Sequence, residues 1–160
     1  MEPAITGLEA ILEKFSGEPA VNVLRLLLTD GKFDRGELTL VVAAENIVAA
    51  LRAVQAAGYN FLEDVTAVDW YPSEPRFQIS YSILSHKLKR RLRVVARVGG
   101  SDPEIDSAVA VWPSANFYER EVFDLFGVKF KNHPNLRRIM MPEDWEGHPL
   151  RKDYPVEGYR

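Results

Sequence analysis

Apolar and polar positions alternate with two different periods along this chain, and the periods divide it into elements. Ile5, Leu8, Leu12 and Phe15 recur at helical spacing, so Ile5 to Phe15 reads as a short amphipathic helix ended by Ser16-Gly17-Glu18-Pro19. Ala20 to Leu28, rich in Val and Leu, reads as a strand, Thr29-Asp30-Gly31-Lys32 as a turn, and Gly36 to Val42 as a second strand paired with the first. Ile47, Val48, Leu51 and Val54 place a helix over Ala44 to Ala57, closed by Gly58. Phe61 to Val68 reads as a strand, although Leu62, Val65 and Val68 equally fit helical spacing, and Asp69 to Pro75 reads as a loop. Phe77, Ile79, Tyr81 and Ile83 then line one face of a half-buried strand, followed by a further strand within Leu88 to Val98. Gly99 to Asp106 is a polar loop, and Ala108 to Trp112 a short apolar link into a last helix.

That last helix begins after Pro113 with Ser114 as its N-cap and ends at Gly127. At about 100° per residue, Phe117, Tyr118, Val122, Phe123, Leu125 and Phe126 spread over most of its circumference. Asn116, Arg120 and Asp124 share the polar side, while Glu119 and Glu121 fall among apolar neighbours. A carboxylate embedded in apolar surface needs a cation or several donors. Arg120 is one turn from Asp124, and Arg137, Arg138 and Arg151 are further candidates. From Val128 to Arg160 no helical or strand period is sustained, and four X-Pro steps bias the chain to extended conformation. The segment nevertheless carries Val128, Phe130, Leu136, Ile139, Met140, Met141, Trp145, Leu150 and Tyr154, which disordered tails lack. A long, irregular, apolar segment must lie against something, and a partner surface is the expected something.

The order of elements implies an α+β two-layer sandwich: a largely antiparallel or mixed sheet, helices on one face, and an extended C-terminal tail. Residues 1–127 form the globular domain and 128–160 the tail. The 160 residues suit one domain. A net charge of −3 points to neither nucleic acid nor an anionic surface, no apolar run is long enough for a transmembrane helix, and the N-terminal residues lack the pattern of a signal peptide. The chain has no cysteine, which excludes disulfides, catalytic thiols and Cys-ligated clusters or zinc. There is no phosphate-binding glycine motif.

Other chemistry-bearing groups have plain readings. Lys87, Lys89, Arg90, Arg91, Arg93 and Arg97 form a basic run without interleaved aromatics, read as a solvated edge hairpin or a contact for an acidic protein face. His133 and His148 lack metal-site spacing and are expected to hydrogen-bond backbone or carboxylate. Glu119 and Glu121 are two apart on a helix and point to different sides, so they form no catalytic dyad. Trp145 is the expected interface anchor.

The stretch Glu119-Arg120-Glu121, then Asp124-Leu125-Phe126, His133, Arg137 and Ile139, has the spacing ERE-x2-D-hydrophobic-hydrophobic-x6-H-x3-R-x-I. It resembles the signature of the 30-kDa subunit of proton-pumping NADH:quinone oxidoreductase, respiratory complex I, and the likeness continues through HPNLRRIMMPEDWEGHPLRKDYP. FLEDVTAVDW at 61–70 and VWPSANFYERE at 111–121 also resemble that family; Phe123, where Tyr is usual, and Asn132, where Gly is frequent, depart from it. The resemblance implies a non-redox structural subunit of the hydrophilic arm, peripheral on the cytoplasmic side of a bacterial membrane and packed against the 49-kDa quinone-site subunit. FMN, iron–sulfur clusters and quinone would belong to other subunits, with no cofactor, metal or catalytic residue in this chain and no nucleic-acid partner. Glu119, Arg120, Glu121, Asp124, His133, Arg137, Arg138, Trp145, His148, Arg151, Asp153 and Tyr154 would fix the tail and its partner contacts. Two alternatives stay open: the equivalent subunit of a ferredoxin-driven or hydrogenase-like complex, and a free-standing soluble enzyme using the acidic and His residues of the signature.

Overall fold

The computed structural model describes residues 3–159, so the outermost residues of both expected segments lie outside it. Eight strands and four α-helices are formed among the described residues. In chain order they are β1 (Ile5–Thr6), α1 (Leu8–Lys14), α2 (Pro19–Leu24), β2 (Leu28–Asp34), β3 (Glu37–Val42), α3 (Ile47–Ala56), β4 (Phe61–Asp69), β5 (Phe77–Ser85), β6 (Arg90–Val98), β7 (Glu104–Asp106), α4 (Ala115–Phe126) and β8 (Lys129–Lys131).

Six strands form one mixed sheet in the order β1-β2-β3-β6-β5-β4, antiparallel except where β3 and β6 run parallel. Period-two alternation divides its faces. The row Leu40, Val94, Tyr81 and Val65 is buried under the helices, and the neighbouring row Val41, Val95, Ser80 and Thr66 lies on the other face. Gly31 continues the buried row, and a Cβ there would stand 3.0 Å from Ile11 of α1, so its missing side chain lets that helix sit on the sheet. At the far edge α4 packs along β4, with the Phe77 and Phe126 rings 6.4 Å apart. The expected α+β sandwich with helices on one face is the observed architecture.

Four local expectations fail. Residues 20–28 are not a strand, because Pro19 occupies the first turn of a helix and buries Ala20, Val21 and Leu24 at helical spacing. The apolar run is β-branched enough to imitate a strand. Asp30-Gly31 is no turn: it lies inside β2 beside a register shift, and the chain reverses instead at Arg35 (φ 52°) and Gly36 (φ 83°), two left-handed residues that make a tight hairpin. Ile5 and Thr6 pair with β2 as β1 rather than opening the first helix. Glu104–Asp106, read as loop, pairs in parallel with Lys129–Lys131 in a two-stranded sheet that ties the start of the tail to the domain. The basic run also sits differently from its edge-hairpin reading, since β6 is an interior strand whose Arg90, Arg91 and Arg93 pair with Glu18, Glu63 and Glu37.

Candidate functional site

Helix α4 holds two fully buried carboxylates, Glu119 and Asp124, and each organises a different piece of chain. Glu119 reaches the link before its own helix. The Ser107 hydroxyl and the Ala108 N–H each donate to it at 2.6 Å. Burial still dominates those two donors and pushes its carboxyl up to about 7. The Tyr81 hydroxyl, buried without a partner, and Asp106 belong to the same neighbourhood.

Asp124 reaches the tail. Its Oδ2 accepts from the backbone N–H groups of Ile139, Met140 and Met141 at 2.9, 2.7 and 2.9 Å, and its Oδ1 takes Arg138 Nη1 at 2.6 Å. Burial opposes the charge, but three amides and a guanidinium outweigh it, and the carboxyl stays below its usual range. Arg138 also donates through Nη2 to the carbonyls of Trp145 (3.0 Å) and Gly147 (2.9 Å), so one guanidinium ties two points of the tail to the helix. The cation on Asp124 is therefore Arg138. Arg120, expected to reach Asp124 along the helix, donates to the carbonyls of Arg137 and Arg138 instead, because the tail backbone lies closer to its fork.

The C-terminal end of α4 shows how closely the tail is fitted. Its last carbonyls lack helical partners. Gly127, left-handed at φ 74°, closes the helix with its N–H on the Phe123 carbonyl. The tail then supplies the rest: His148 Nδ1 donates to the Asp124 carbonyl (2.8 Å), Leu150 N to that of Leu125 (3.0 Å) and Arg151 Nε to that of Phe126 (2.6 Å). A Cβ at Gly127 would stand 2.5 Å from the His148 ring and 2.7 Å from Arg151 Nη2, so glycine serves both the turn and the close approach. Arg138 and Arg151 also place positive charge at the negative end of the helix.

A third fastening lies beside the loop between β4 and β5. Arg76 forks onto Asp69 with two bonds of 2.8 Å and grips Asp153 of the tail at 2.9 and 2.6 Å. Asp69 also accepts the Lys152 N–H at 2.8 Å and the Tyr71 N–H at 2.9 Å. Burial works against its charge, yet Arg76 and these amides hold its carboxyl down to about 2. The rings of Tyr71 and Phe77 lie 4.8 and 4.9 Å from the Arg76 guanidinium.

Of the residues singled out from sequence, Asp124, Arg138, His148, Arg151 and Asp153 thus converge on one clamp. His133 turns its buried side chain inward, with Nε2 on the Asn116 carbonyl (3.1 Å) and Nδ1 accepting the Asn135 N–H (3.0 Å), which requires the neutral Nε2–H tautomer. Burial lowers its pKa, as it does that of His148. Glu121, expected among apolar side chains, is exposed because Phe117 beside it also faces outward. Arg137 is exposed, and its side chain makes no hydrogen bond or ion pair among the described residues. Tyr154 packs edge-on to Tyr159 at 5.4 Å. Trp145 is 41% exposed.

Sequence reasoning missed Asp69, Arg76 and Ser107 as site residues. Asp69 lies within the stretch 61–70 that carries part of the family likeness, but its cation has its second carboxylate 77 residues along the chain, beyond any local spacing. Glu119 and His133 approach to 3.9 Å with both side chains closed to solvent, and the His133 nitrogens are both engaged within the chain. No cluster of His, Asp and Glu suited to a metal occurs among the described residues, and no helix there is long and apolar enough to cross a membrane.

The outward side of the clamp is different. Ile139, Met140, Trp145, Leu150, Val156 and Tyr159 are exposed along the tail, and Phe117 of α4 is 62% exposed. A shallow groove of about 410 Å³ opens between Trp145, Tyr154 and Tyr159.

Residues 40–160 match the family model described as the respiratory-chain NADH dehydrogenase 30 Kd subunit. The chain is 53% identical over 125 residues to the C subunit of the NADH-quinone oxidoreductase of Citrifermentans bemidjiense, covering 78% of each chain. With the C subunit of the Trichlorobacter lovleyi NADH-quinone oxidoreductase it shares 47% over 149 residues, 92% of this chain and 89% of that one. Among solved structures it is similar to a trypsin-resistant fragment of Nqo5 (34% identity, TM-score 0.60, covering 63% of this chain and 83% of the fragment). It is also similar to a chain of an archaeal membrane-bound sulfane sulfur reductase (26% identity, TM-score 0.76, 89% of this chain and 86% of that one). The match over three-quarters of the chain, spanning the clamp from Asp69 to Tyr159, places it: this chain belongs to the 30-kDa subunit family of respiratory-chain NADH dehydrogenase.

Proposed function

We propose that this chain is a structural subunit of the hydrophilic arm of a proton-translocating NADH:quinone oxidoreductase and holds no redox centre itself. The outer face of its tail docks on the 49-kDa subunit that forms the quinone site. The observation that carries this reading is the two-sidedness of residues 132–159. Arg138, His148, Arg151, Asp153 and the backbone amides of 139–141 and 152 bond inward onto α4, Asp69 and Arg76, while Ile139, Met140, Trp145 and Leu150 are exposed. Several large apolar side chains left exposed on a tail whose backbone is fastened to the domain are the form of a protein contact. Rigid placement of neighbours keeps electron-transfer distances and the quinone cavity constant, and that is the mechanical role of this subunit. This chain sits peripherally on the cytoplasmic side of the bacterial membrane, attached to it through its partners. FMN, clusters and quinone belong to those partners.

The likeness to the sulfane sulfur reductase chain supports a second reading, in which the same scaffold serves a related membrane complex with another electron donor or acceptor. Affinity capture from solubilised membranes through an N-terminal tag, read by mass spectrometry, separates the readings. Recovery of the 49-kDa subunit with NADH-binding and membrane subunits supports the first. Recovery with hydrogenase-like or ferredoxin-binding subunits in place of the NADH-binding ones supports the second. A lone, monodisperse chain contradicts both.

A further inference from the structure

The opposite end of the sheet carries a groove that the tail does not touch. β6 runs nine residues from Arg90 to Val98, so the groove at its start lies roughly 25 Å from the Arg76 clasp at the other end. Its volume is about 630 Å³, within the range of ligand clefts, and it is open to solvent rather than enclosed.

The floor is apolar. Phe15, at the end of α1, stacks at a tilt on Phe33 of β2 with ring centroids 4.9 Å apart, and Leu38 of β3 lies beside them. Both rings are only partly buried, so their groove side is unoccupied aromatic surface. One wall holds a buried polar pair: Glu18, 6% exposed, accepts from the Tyr59 hydroxyl at 2.6 Å and from Arg90 Nη1 at 2.5 Å. That carboxylate is fully engaged, and it fixes Arg90 with its remaining donors uncommitted among the described residues. The rims carry exposed Lys14, Lys89 and Arg91, and only Arg91 has an acidic partner among the described residues, Glu63 at 3.2 Å. Four cations against Glu18 and the Glu63 partner of Arg91 give the groove a local charge of +2 in a chain whose net charge is −3.

An aromatic floor between cationic rims selects a strip of the inverse pattern. We propose that this groove binds an acidic peptide segment of a partner protein, with one bulky apolar side chain on Phe15 and Phe33 and flanking carboxylates on Lys14, Lys89 and Arg90. Charge complementarity selects the partner and speeds its capture, and the apolar side chain supplies the affinity. An open trough with charge on both rims suits an extended chain, whereas small ligands sit in sites that enclose most of their surface. Peptide binding here is independent of the tail's role, since none of the groove residues takes part in the clamp.

The test is an amide NMR titration of the full-length chain with the capped pentapeptide Ac-Glu-Asp-Phe-Asp-Glu-NH2. The expected result is saturable shifts centred on Lys14, Phe33, Leu38, Tyr59 and Lys89. Replacing the peptide's Phe by Ala weakens binding by about tenfold or more, as expected for one buried aromatic side chain. Lys14→Glu and Lys89→Glu, both at exposed positions, each weaken it while leaving the melting temperature of the free chain unchanged. Three results overturn the proposal: equal shifts from the basic counterpart with Lys at the acidic positions, equal shifts from inorganic phosphate alone, and shifts that neither saturate nor respond to Lys89→Glu.

Discussion

Glu119 and Asp124 sit five positions apart on one helix, both closed to solvent, and their surroundings drive them in opposite directions. Asp124 has three backbone amides and a guanidinium, and its carboxyl is held below the usual range. Glu119 has one hydroxyl and one amide, the His133 ring 3.9 Å away is held neutral, and its carboxyl rises to about 7. Both side chains are shut off from water, so the donors decide. The side of α4 that meets the tail is built to keep a permanent negative charge at the centre of a clamp. The side that meets the domain keeps a carboxyl poised near neutrality, which positions a loop without needing full ionisation.

Removing the carboxylate with more donors therefore costs more. Asp124→Ala strands Arg138 and three amides at once, and about 3–5 kcal/mol of tail attachment is expected to be lost. Limited proteolysis would show new cleavage after Gly127, with rapid hydrogen exchange at Ile139 to Met141. Unchanged protection there would remove Asp124 from the centre of the clamp.

Arg76→Ala tests the second fastening. It leaves Asp69, 4% exposed, with only amide donors and releases Asp153, for an expected loss of about 3 kcal/mol measured by urea unfolding. Acid has a related effect without mutation. The depressed carboxyl of Asp69 contributes stability that is complete above its ordinary value of 3.8 and disappears as pH falls toward about 2. The acid limb of the stability curve should accordingly be steeper in the native chain than in Arg76→Ala.

Glu119→Gln gives the smallest effect and the opposite sign. A raised carboxyl means that the folded chain binds the extra proton between 4.5 and about 7, so this group makes stability fall as pH rises through that window. Tyr81, Asp106 and His133 surround it, and His133 gives no compensating rise because burial keeps it neutral. The Gln variant should flatten the decline, by about 2 kcal/mol across the window. An unchanged slope would mean that Glu119 is ionised throughout.

How much of this is legible in the sequence follows from distance along the chain. The alternating strand β5 and the glycine that closes α4 are local patterns, and the structure has them where the patterns lie, whereas β4, whose Leu62, Val65 and Val68 also fit a helix, is decided by its pairing with β5. Pro19-Ala-Val-Asn-Val-Leu misleads because six residues cannot distinguish a short buried helix from a strand when half are β-branched or small. Gly31 misleads because its reason is Ile11 above it, a tertiary contact rather than a turn. At the clamp, helical spacing puts Asp124 on the polar side of α4 and singles out Glu119 and Glu121 as the embedded acids; Asp124 is buried, and Arg138 rather than Arg120 is its cation, because the irregular tail folds back along the helix. Three backbone amides converging on Asp124 leave no mark in side-chain spacing.

Arg137 offers the most direct test of the account, because it lies next to the clamp residue Arg138 yet its own guanidinium is exposed and engages nothing among the described residues. The measurement is the amount of assembled membrane complex in an Arg137→Ala strain, together with NADH:quinone turnover per assembled complex and the melting temperature of the purified variant. A scaffold with a partner-facing tail predicts an unchanged melting temperature, less assembled complex, and normal turnover in each complex that forms. Normal assembly with a specific loss of turnover would contradict it and move this chain from scaffold to participant in the chemistry.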